Sequence, residues 1–538
     1  MVVEFSARTK DRSSAAITTP PFHDNGNPQP LKEMSLRTPG AIVLVSCYEL
    51  GHQPPGIAST RGSLEAAGFP SDIMDVSVED LNTEKVRRAR FVGISVPMHT
   101  ALRLGTTVAE RVRTINRGCH ISFFGLYASL NADYLLDRLA DSVIGGEFET
   151  PLVLLLEQLD AGGVNAIDGV SRKARPSSPF LKRQRFSVPD RRGFPQLGRY
   201  ARLEWNGTMT LVGYVEASRG CLHLCLHCPI PPVYNGRFFV VPKEIVLTDI
   251  RGLVEQGARH ITFGDPDFLN APTHSLKILR AMHEAFPGLT FDFTAKIEHI
   301  LQHRNLFDEF ASLGCIFIVT AVESLSDNVL ANLEKGHRGA DVYRALTILR
   351  ESGIAFRPTW VAFTPWTTID DYIGMLSFVE TNGLIDHVDP VQYAIRLLVP
   401  PGSSLLARES IHQFLGPLDQ SSFMHPWKHP DARMDRLYDS VRQVVAANVH
   451  EDPFMNFSGI RAAAHEVRGD NVSGVMNIPA PGRSRPPRLT EPWFCCAEPT
   501  TDQLRNLHSS PKDDSTDDRC KGNVSGLPLH IDEPAAAF

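Results

Sequence analysis

From residue 41 onward, the apolar positions of this chain fall into an alternation of short continuous runs and helically spaced stripes. Ala41-Ile42-Val43-Leu44-Val45 is an unbroken apolar run, the pattern of a parallel strand buried on both faces. A Gly/Pro loop from Gly51 to Gly56 and a helix-like segment ending near Gly68 follow it. Phe91-Val92-Gly93-Ile94-Ser95-Val96 repeats the strand signal. Leu104, Val108, Val112 and Ile115 then recur at three to four residues, marking one face of a helix that stops at Gly118. Ile121-Ser122-Phe123-Phe124-Gly125 and Ser142-Val143-Ile144-Gly145-Gly146 continue the alternation, which predicts a doubly wound parallel sheet.

A second series of strand–loop–helix units starts at Thr208. Val246, Ile250, Leu253 and Val254 form one helical face, Ile261-Thr262-Phe263 a strand, and Leu276, Leu279, Met282 and Phe286 the next face. Further strands are expected at 289–293, 316–320, 356–363 and 391–398, with Gln392 and Arg396 on one side of the last and Tyr393 on the other. Met434, Leu437, Tyr438, Val441, Val444 and Val445 mark a later helix. Between the two series, 162–206 has little periodicity and carries the basic runs Lys182-Arg183-Gln184-Arg185 and Pro189-Asp190-Arg191-Arg192, as a connector would. Both ends are Ser-, Pro- and Asn- or Asp-rich and read as disordered. The expected division is a leader at 1–38, a first α/β domain at 39–161, a linker at 162–206, a second at 207–406, a small helical region at 407–470 and a tail at 471–538.

Composition narrows the function. In 538 residues, a hydrophobic content of 42% supports packed cores, and a net charge of −7 with both signs interspersed argues against a nucleic-acid surface. Small-molecule or peptide substrates fit better. No apolar run reaches the ~18 residues that span a bilayer, and the N-terminus lacks signal-peptide order, so a cytoplasmic protein without membrane partners is expected. Nine cysteines, irregularly spaced, suit a reducing compartment rather than a disulfide framework.

Three of these, Cys221, Cys225 and Cys228, follow Ser218-Arg219-Gly220 in a C-x3-C-x2-C pattern. Three thiolates from one loop suit a [4Fe–4S] cluster with one iron left open. A zinc knuckle using His223 or His227 is the alternative, but no second ligand hook follows. A four-cysteine electron-transfer cluster would need a nearer partner than Cys315.

On this motif the chain resembles the radical SAM superfamily from about Thr208 to Leu406. The resemblance implies a partial (β/α)6 barrel whose open iron chelates S-adenosylmethionine (SAM), a reduced cluster that breaks the sulfur–C5′ bond, and a 5′-deoxyadenosyl radical that abstracts a substrate hydrogen. It also implies an electron donor such as flavodoxin or ferredoxin. Gly264, Asp265 and Asp267, in Gly264-Asp265-Pro266-Asp267, match the strand end that receives the SAM ammonium. Glu323, followed by Ser324 and later by Lys335-Gly336-His337, matches the family's ribose- or amine-binding carboxylate. His227 stands where the family usually carries an aromatic residue beside the cluster.

The first domain resembles the cobalamin-binding domain that precedes some radical SAM barrels, although its first loop, 46–56, lacks the D-x-H-x-x-G motif. His52 in that loop and the pair Gly145-Gly146 are the corrin-contacting candidates, against a solvated histidine and an ordinary tight turn. Near the C-terminus, Pro492-Trp493-Phe494-Cys495-Cys496-Ala497-Glu498-Pro499 resembles the signature of the CUAEP/CCAEP-tail radical SAM family. Cys495 and Cys496 are accordingly candidates for a thiol–disulfide pair. Hydrogen abstraction without cobalamin, cobalamin-dependent methyl or group transfer, and a non-catalytic iron–sulfur redox sensor all stay open.

Overall fold

A computed structural model describes residues 34–163, 165–448, 451–470, 479 and 482–491. Described order starts ahead of residue 39, because Leu36 is buried and the Arg37 guanidinium lies 4.1 Å from the centre of the Phe69 ring.

Two sheets organise the chain. In the first, strands β1 (Ile42–Ser46), β2 (Ser71–Asp75), β3 (Phe91–Ser95), β4 (His120–Phe124), β5 (Ser142–Ile144) and β6 (Val170–Ser171) lie in the order β2-β1-β3-β4-β5-β6. β1 to β5 are parallel, and β6 is antiparallel to β5. The apolar runs are buried on both faces, as helices cover both sides of the sheet. Helix His99–Ile115 turns Leu104, Val108 and Val112 into one of those cores. The chain crosses from one side of β1 to the other between β2 and β3, so the crevice at the C-terminal ends of β1 and β3 is the switch point where such sheets bind ligands.

The second sheet has the order β14-β13-β12-β11-β8-β7-β15. β7 (Arg202–Trp205) is antiparallel to β8 (Thr208–Val215), while β8, β11 (His260–Phe263), β12 (Thr290–Ala295), β13 (Cys315–Glu323) and β14 (Ala355–Trp360) run parallel with intervening helices, as in a half-barrel. β15 (Arg488–Leu489) returns from the C-terminal region to pair with β7. A two-stranded ribbon, β9 (Ser218–Gly220) and β10 (Phe238–Val240), flanks the loop carrying the three cysteines.

The strand expected at 391–398 is replaced. Pro390 occupies the first turn of a 3-10 helix, Pro390–Ala394, and the Gln392 side chain accepts the Trp360 N–H at 3.0 Å. A side chain thereby takes a bond that a sixth strand's backbone would have accepted. Beyond it, a bridge joins Phe363 and Arg396. Gln392 and Arg396 consequently part: the first faces the barrel interior, while Arg396 pairs with Asp435 and lies over Trp427.

The two sheets are fastened together by buried charge. Arg191, from the basic run in the connector, donates from Nε and Nη2 to Asp249 at 2.6 and 2.8 Å, from Nη1 to Gln53 at 2.9 Å and from Nη2 to the Tyr214 carbonyl at 2.7 Å. Arg219, in β9, reaches Glu149 at 2.5 Å, Glu216 at 2.9 Å, Ser59 at 2.9 Å and Glu147 at 3.5 Å. Replacing Arg191 by alanine leaves the Asp249 carboxylate buried without its cation, a loss of about 3–5 kcal/mol for such pairs. The expected outcome is a lower urea midpoint for Arg191→Ala than for the wild type; an unchanged midpoint would contradict the role given to this pair.

Candidate functional site

The loop of the three cysteines begins at a backbone constraint. Gly220 has φ +76, and a Cβ there would stand 2.5 Å from the Arg237 carbonyl oxygen. Only glycine turns the chain this tightly against its partner strand. Asp265, at the end of β11, accepts the Ala217 N–H at 2.9 Å and the Ser218 hydroxyl at 2.5 Å, fixing the strand that enters the loop. Burial pushes its carboxyl up to about 7.

Cys221 and Cys225 are buried, and Cys228 is half-buried. The Cys228 N–H donates to the Cys225 carbonyl at 3.2 Å, the Leu226 N–H to Leu333, and Asn270 Nδ2 to Cys221 Sγ at 3.6 Å. Burial raises the Cys221 and Cys228 thiols, and the other loop cysteines raise them further. Three thiols this close can shed their protons together only against a shared positive centre, which is the donor chemistry of an iron–sulfur cluster. Lys335, buried, contributes positive charge beside Cys225 and Cys228.

Glu323 ends β13 at a bulge, with φ +65. Its Oε1 lies 3.1 Å from Lys335 Nζ and 3.4 Å from His227 Nε2. Burial works to raise this carboxyl, but the Lys335 ammonium and the His227 contact outweigh it and hold the group at about 2. Glu323 is therefore a fixed anion beside the cysteine loop.

These groups open on one cavity of about 440 Å³, within the usual range for small-molecule sites. Its walls come from both sheets: Glu323, His227, Cys228 and Thr359 on the barrel side, and Glu49 and Met98 from the loops after β1 and β3 with Tyr127 from the short helix Leu126–Leu130 after β4. Gly264 also lines it, and glycine is required there because a Cβ would stand 2.5 Å from the Tyr214 ring.

Other expected residues sit differently. His52 is not a solvated loop residue: it is buried, stacked on Tyr214 with ring centres 4.3 Å apart and planes 2° from parallel. Burial lowers its pKa to about 3, so the ring is neutral, and it lines the cavity. Gly145 and Gly146 lie outside the cavity lining. A Cβ on Gly145 would meet Ser129 and Pro179, and one on Gly146 would stand 2.4 Å from the Phe180 carbonyl oxygen; both glycines admit the connector backbone rather than a flat cofactor. Asp267 is also outside the lining, turned toward His223 and His299. Cys495 and Cys496 lie outside the described residues.

Sequence reasoning passed over Arg219 and Lys335 as charges to be buried and missed His299 entirely. The signal for the first two was position, since one stands two residues before Cys221 and the other one residue before Gly336 in the quoted motif.

Residues 215–365 match the Radical SAM superfamily. The hopanoid C-3 methylase of Methylococcus capsulatus is 25% identical over 324 residues, 58% of this chain and 62% of that protein. A tRNA-2-methylthio-N(6)-dimethylallyladenosine synthase of Chlorobium limicola is 29% identical over 173 residues, 29% of this chain and 38% of the relative. The chain thus spans less than two thirds of these curated relatives. Among solved structures, the cobalamin-dependent radical enzyme OxsB with aqua-cobalamin and S-adenosylmethionine bound aligns at TM-score 0.60 and 13% identity, covering 76% of this chain and 67% of that one. The radical S-adenosylmethionine methyltransferase TsrM from Kitasatospora setae, with cobalamin and a [4Fe–4S] cluster, aligns at TM-score 0.54 and 17% identity, covering 64% and 73%. These likenesses establish the fold: a Rossmann-like domain ahead of a radical SAM half-barrel.

The Glu323 anion has a pH signature. Its folded value of about 2 lies below its ordinary value of 4.5, so it stabilises the fold above pH 4.5, and that contribution is lost as pH falls through about 2. The span is worth up to about 3 kcal/mol at 1.36 kcal/mol per unit. Denaturant titrations of cluster-free protein between these pH values should show this slope in the wild type and a shallower one in Glu323→Gln; equal slopes would contradict the assignment.

Proposed function

We propose that this chain, whose residues 215–365 form a radical SAM domain, is an enzyme that cleaves S-adenosylmethionine reductively and abstracts a hydrogen from a small-molecule or peptide substrate. The observation that carries this is the convergence of Cys221, Cys225 and Cys228 in one closed loop beside the cavity, with the Lys335–Glu323 pair next to it. When bound through these thiolates, a [4Fe–4S] cluster supplies the electron for cleavage and one iron without a protein ligand. Glu323, held at Oε1 by Lys335 and His227, would accept a hydroxyl or ammonium of SAM. Asp265 acts by positioning the loop through Ala217 and Ser218.

Cobalamin-dependent methyl or group transfer is the second reading, and the wall formed by the loops after β1, β3 and β4 favours it. A ligand in that crevice would face the barrel directly. The donor chemistry there is incomplete: His52 offers a ring nitrogen but is held in its stack on Tyr214. A corrin at this site would be held without the His52 ring unless the stack on Tyr214 opened. Within this reading, 39–161 is the corrin-type domain, 162–206 the connector, 207–406 the barrel and 407–470 a helical addition. Thiols that must stay reduced suit the cytoplasm, and among the described residues no helix is long and apolar enough to cross a membrane. Electrons would come from a flavodoxin or ferredoxin.

The tail belongs to the proposal through its attachment. After β15, Glu491 lines the cavity and accepts the Tyr48 hydroxyl at 2.8 Å. Cys495 is four residues further along the sequence, a chain reach of at most about 14 Å. We assign Cys495 and Cys496 to a thiol–disulfide pair that acts near this cavity.

Anaerobic reconstitution followed by SAM and dithionite should yield 5′-deoxyadenosine from the wild type and none from Cys225→Ala. A wild-type preparation that holds the cluster without forming it would support the redox-sensor alternative instead. Corrin absorbance in protein purified from a cobalamin-supplied host separates the two chemistries. In Cys495→Ser/Cys496→Ser, the first turnover should persist while multiple turnover falls at least about tenfold, equivalent to 1.4 kcal/mol; unchanged multiple turnover would remove the redox role.

A further inference from the structure

Behind the cysteine loop, and outside the cavity, three side chains from separate elements converge. His223 lies in the loop between Cys221 and Cys225, Asp267 follows β11, and His299 sits in helix Ile297–Gln302. Asp267 Oδ2 is 2.8 Å from His299 Nδ1 and 3.4 Å from His223 Nε2, and one ligand atom from each of the three residues lies within 4.8 Å of the other two. Asp267 is fully buried and His299 is 8% exposed.

Distance alone would suggest a hydrogen-bonded His–Asp–His chain, but none of the three facing atoms makes a hydrogen bond of good geometry. Asp267 Oδ2, His223 Nε2 and His299 Nδ1 are all buried atoms whose contacts fall short of hydrogen-bond geometry. Three unpartnered polar atoms in one buried spot would each carry a desolvation penalty. A cation at their focus relieves all three. Ligands about 2.0–2.2 Å from a tetrahedral ion lie roughly 3.3–3.6 Å from one another, close to the spacing of the His223–Asp267 contact.

The surroundings match this reading. Asp267 Oδ1 accepts the Leu269 N–H at 3.0 Å, which fixes the carboxylate so that Oδ2 faces the histidines. Glu298 Oε2 stands 3.8 Å from His223 Nδ1, beyond hydrogen-bond distance, and is itself 3.4 Å from Lys296, so a carboxylate lies on the outer side of the imidazole. The set is two imidazoles and one carboxylate, which suits first-row divalent transition ions rather than calcium or magnesium.

We propose that His223, Asp267 and His299 bind a divalent transition-metal ion, separate from the cluster, with one coordination position left open. The ion would tie the cysteine loop to the end of β11 and to helix Ile297–Gln302, so the loop would be clamped from behind by a metal and in front by the cluster. This inference does not require the proposed activity.

The probe is zinc. In the Cys221→Ala/Cys225→Ala/Cys228→Ala variant, which cannot hold the cluster, elemental analysis after gel filtration should find about one equivalent of zinc per chain, and its X-ray absorption edge should show nitrogen and oxygen neighbours without sulfur. Adding His299→Gln or Asp267→Asn should abolish that retention while circular dichroism stays unchanged. Should the triple variant fail to fold, the same measurements on cluster-loaded wild type and on wild type carrying His299→Gln decide the matter in the same way. No retained zinc, zinc held by sulfur, or retention indifferent to His299→Gln would each overturn the proposal, whether or not the protein cleaves SAM.

Discussion

The structure depends on Arg219. It stands two residues ahead of the first loop cysteine and is buried among Glu147, Glu149 and Glu216, with Ser59 and the Phe148 and Phe186 rings around it. Glu147 and Glu149 follow β5 in the first sheet, so a single guanidinium fastens the cysteine loop of the barrel to the C-terminal edge of the other domain. Burial raises Glu147 to about 7, with Arg219 opposing and Glu149 reinforcing the shift, and Tyr234 and Gln184 satisfy the remaining oxygens. A network this enclosed adds little net stability compared with apolar packing, but it specifies one geometry. That geometry is what makes the two ligand-binding edges share a cavity.

From this joint the rest of the site follows. The crevice of the first sheet lies where parallel sheets bind flat or phosphorylated ligands, and the barrel presents its chemistry at the C-terminal ends of its strands. Facing the two together gives a shared space with a fixed anion at Glu323, held by the buried Lys335 behind it, and the Cys228 thiol on one wall. The Arg191–Asp249 pair, from the connector, reinforces the same apposition. The tail joins the arrangement through β15, which carries the chain back to the cavity at Glu491.

The parts of this that were legible in the sequence are those that repeat or punctuate. The strand runs from Ile42 to Val45 and from Phe91 to Ser95, the helical stripe of Leu104, Val108 and Val112, and the cysteine loop all carry local signals that the fold preserves. What the sequence concealed depends on long-range partners. Arg191 reads as part of a solvated basic run, yet it is buried because Asp249, in a helix 58 residues away, neutralises it. His52 reads as an exposed loop residue, and it is Tyr214 that covers it. The apolar alternation of 391–398 resembles a strand, but Pro390 and the Gln392 side chain satisfy the neighbouring backbone differently. Gly145-Gly146 suggested room for a cofactor, and the room is taken by Pro179 and Phe180.

The central claim is that the loop of Cys221, Cys225 and Cys228 holds a cluster whose unligated iron is open to SAM from the shared cavity. Electron paramagnetic resonance of the anaerobically reconstituted, dithionite-reduced protein tests it most directly. The expected result is a reduced [4Fe–4S] signal that changes its g-values when SAM is added and that is absent from Cys225→Ala. A signal indifferent to SAM, or a protein that carries stoichiometric zinc in this loop and no cluster, would contradict it.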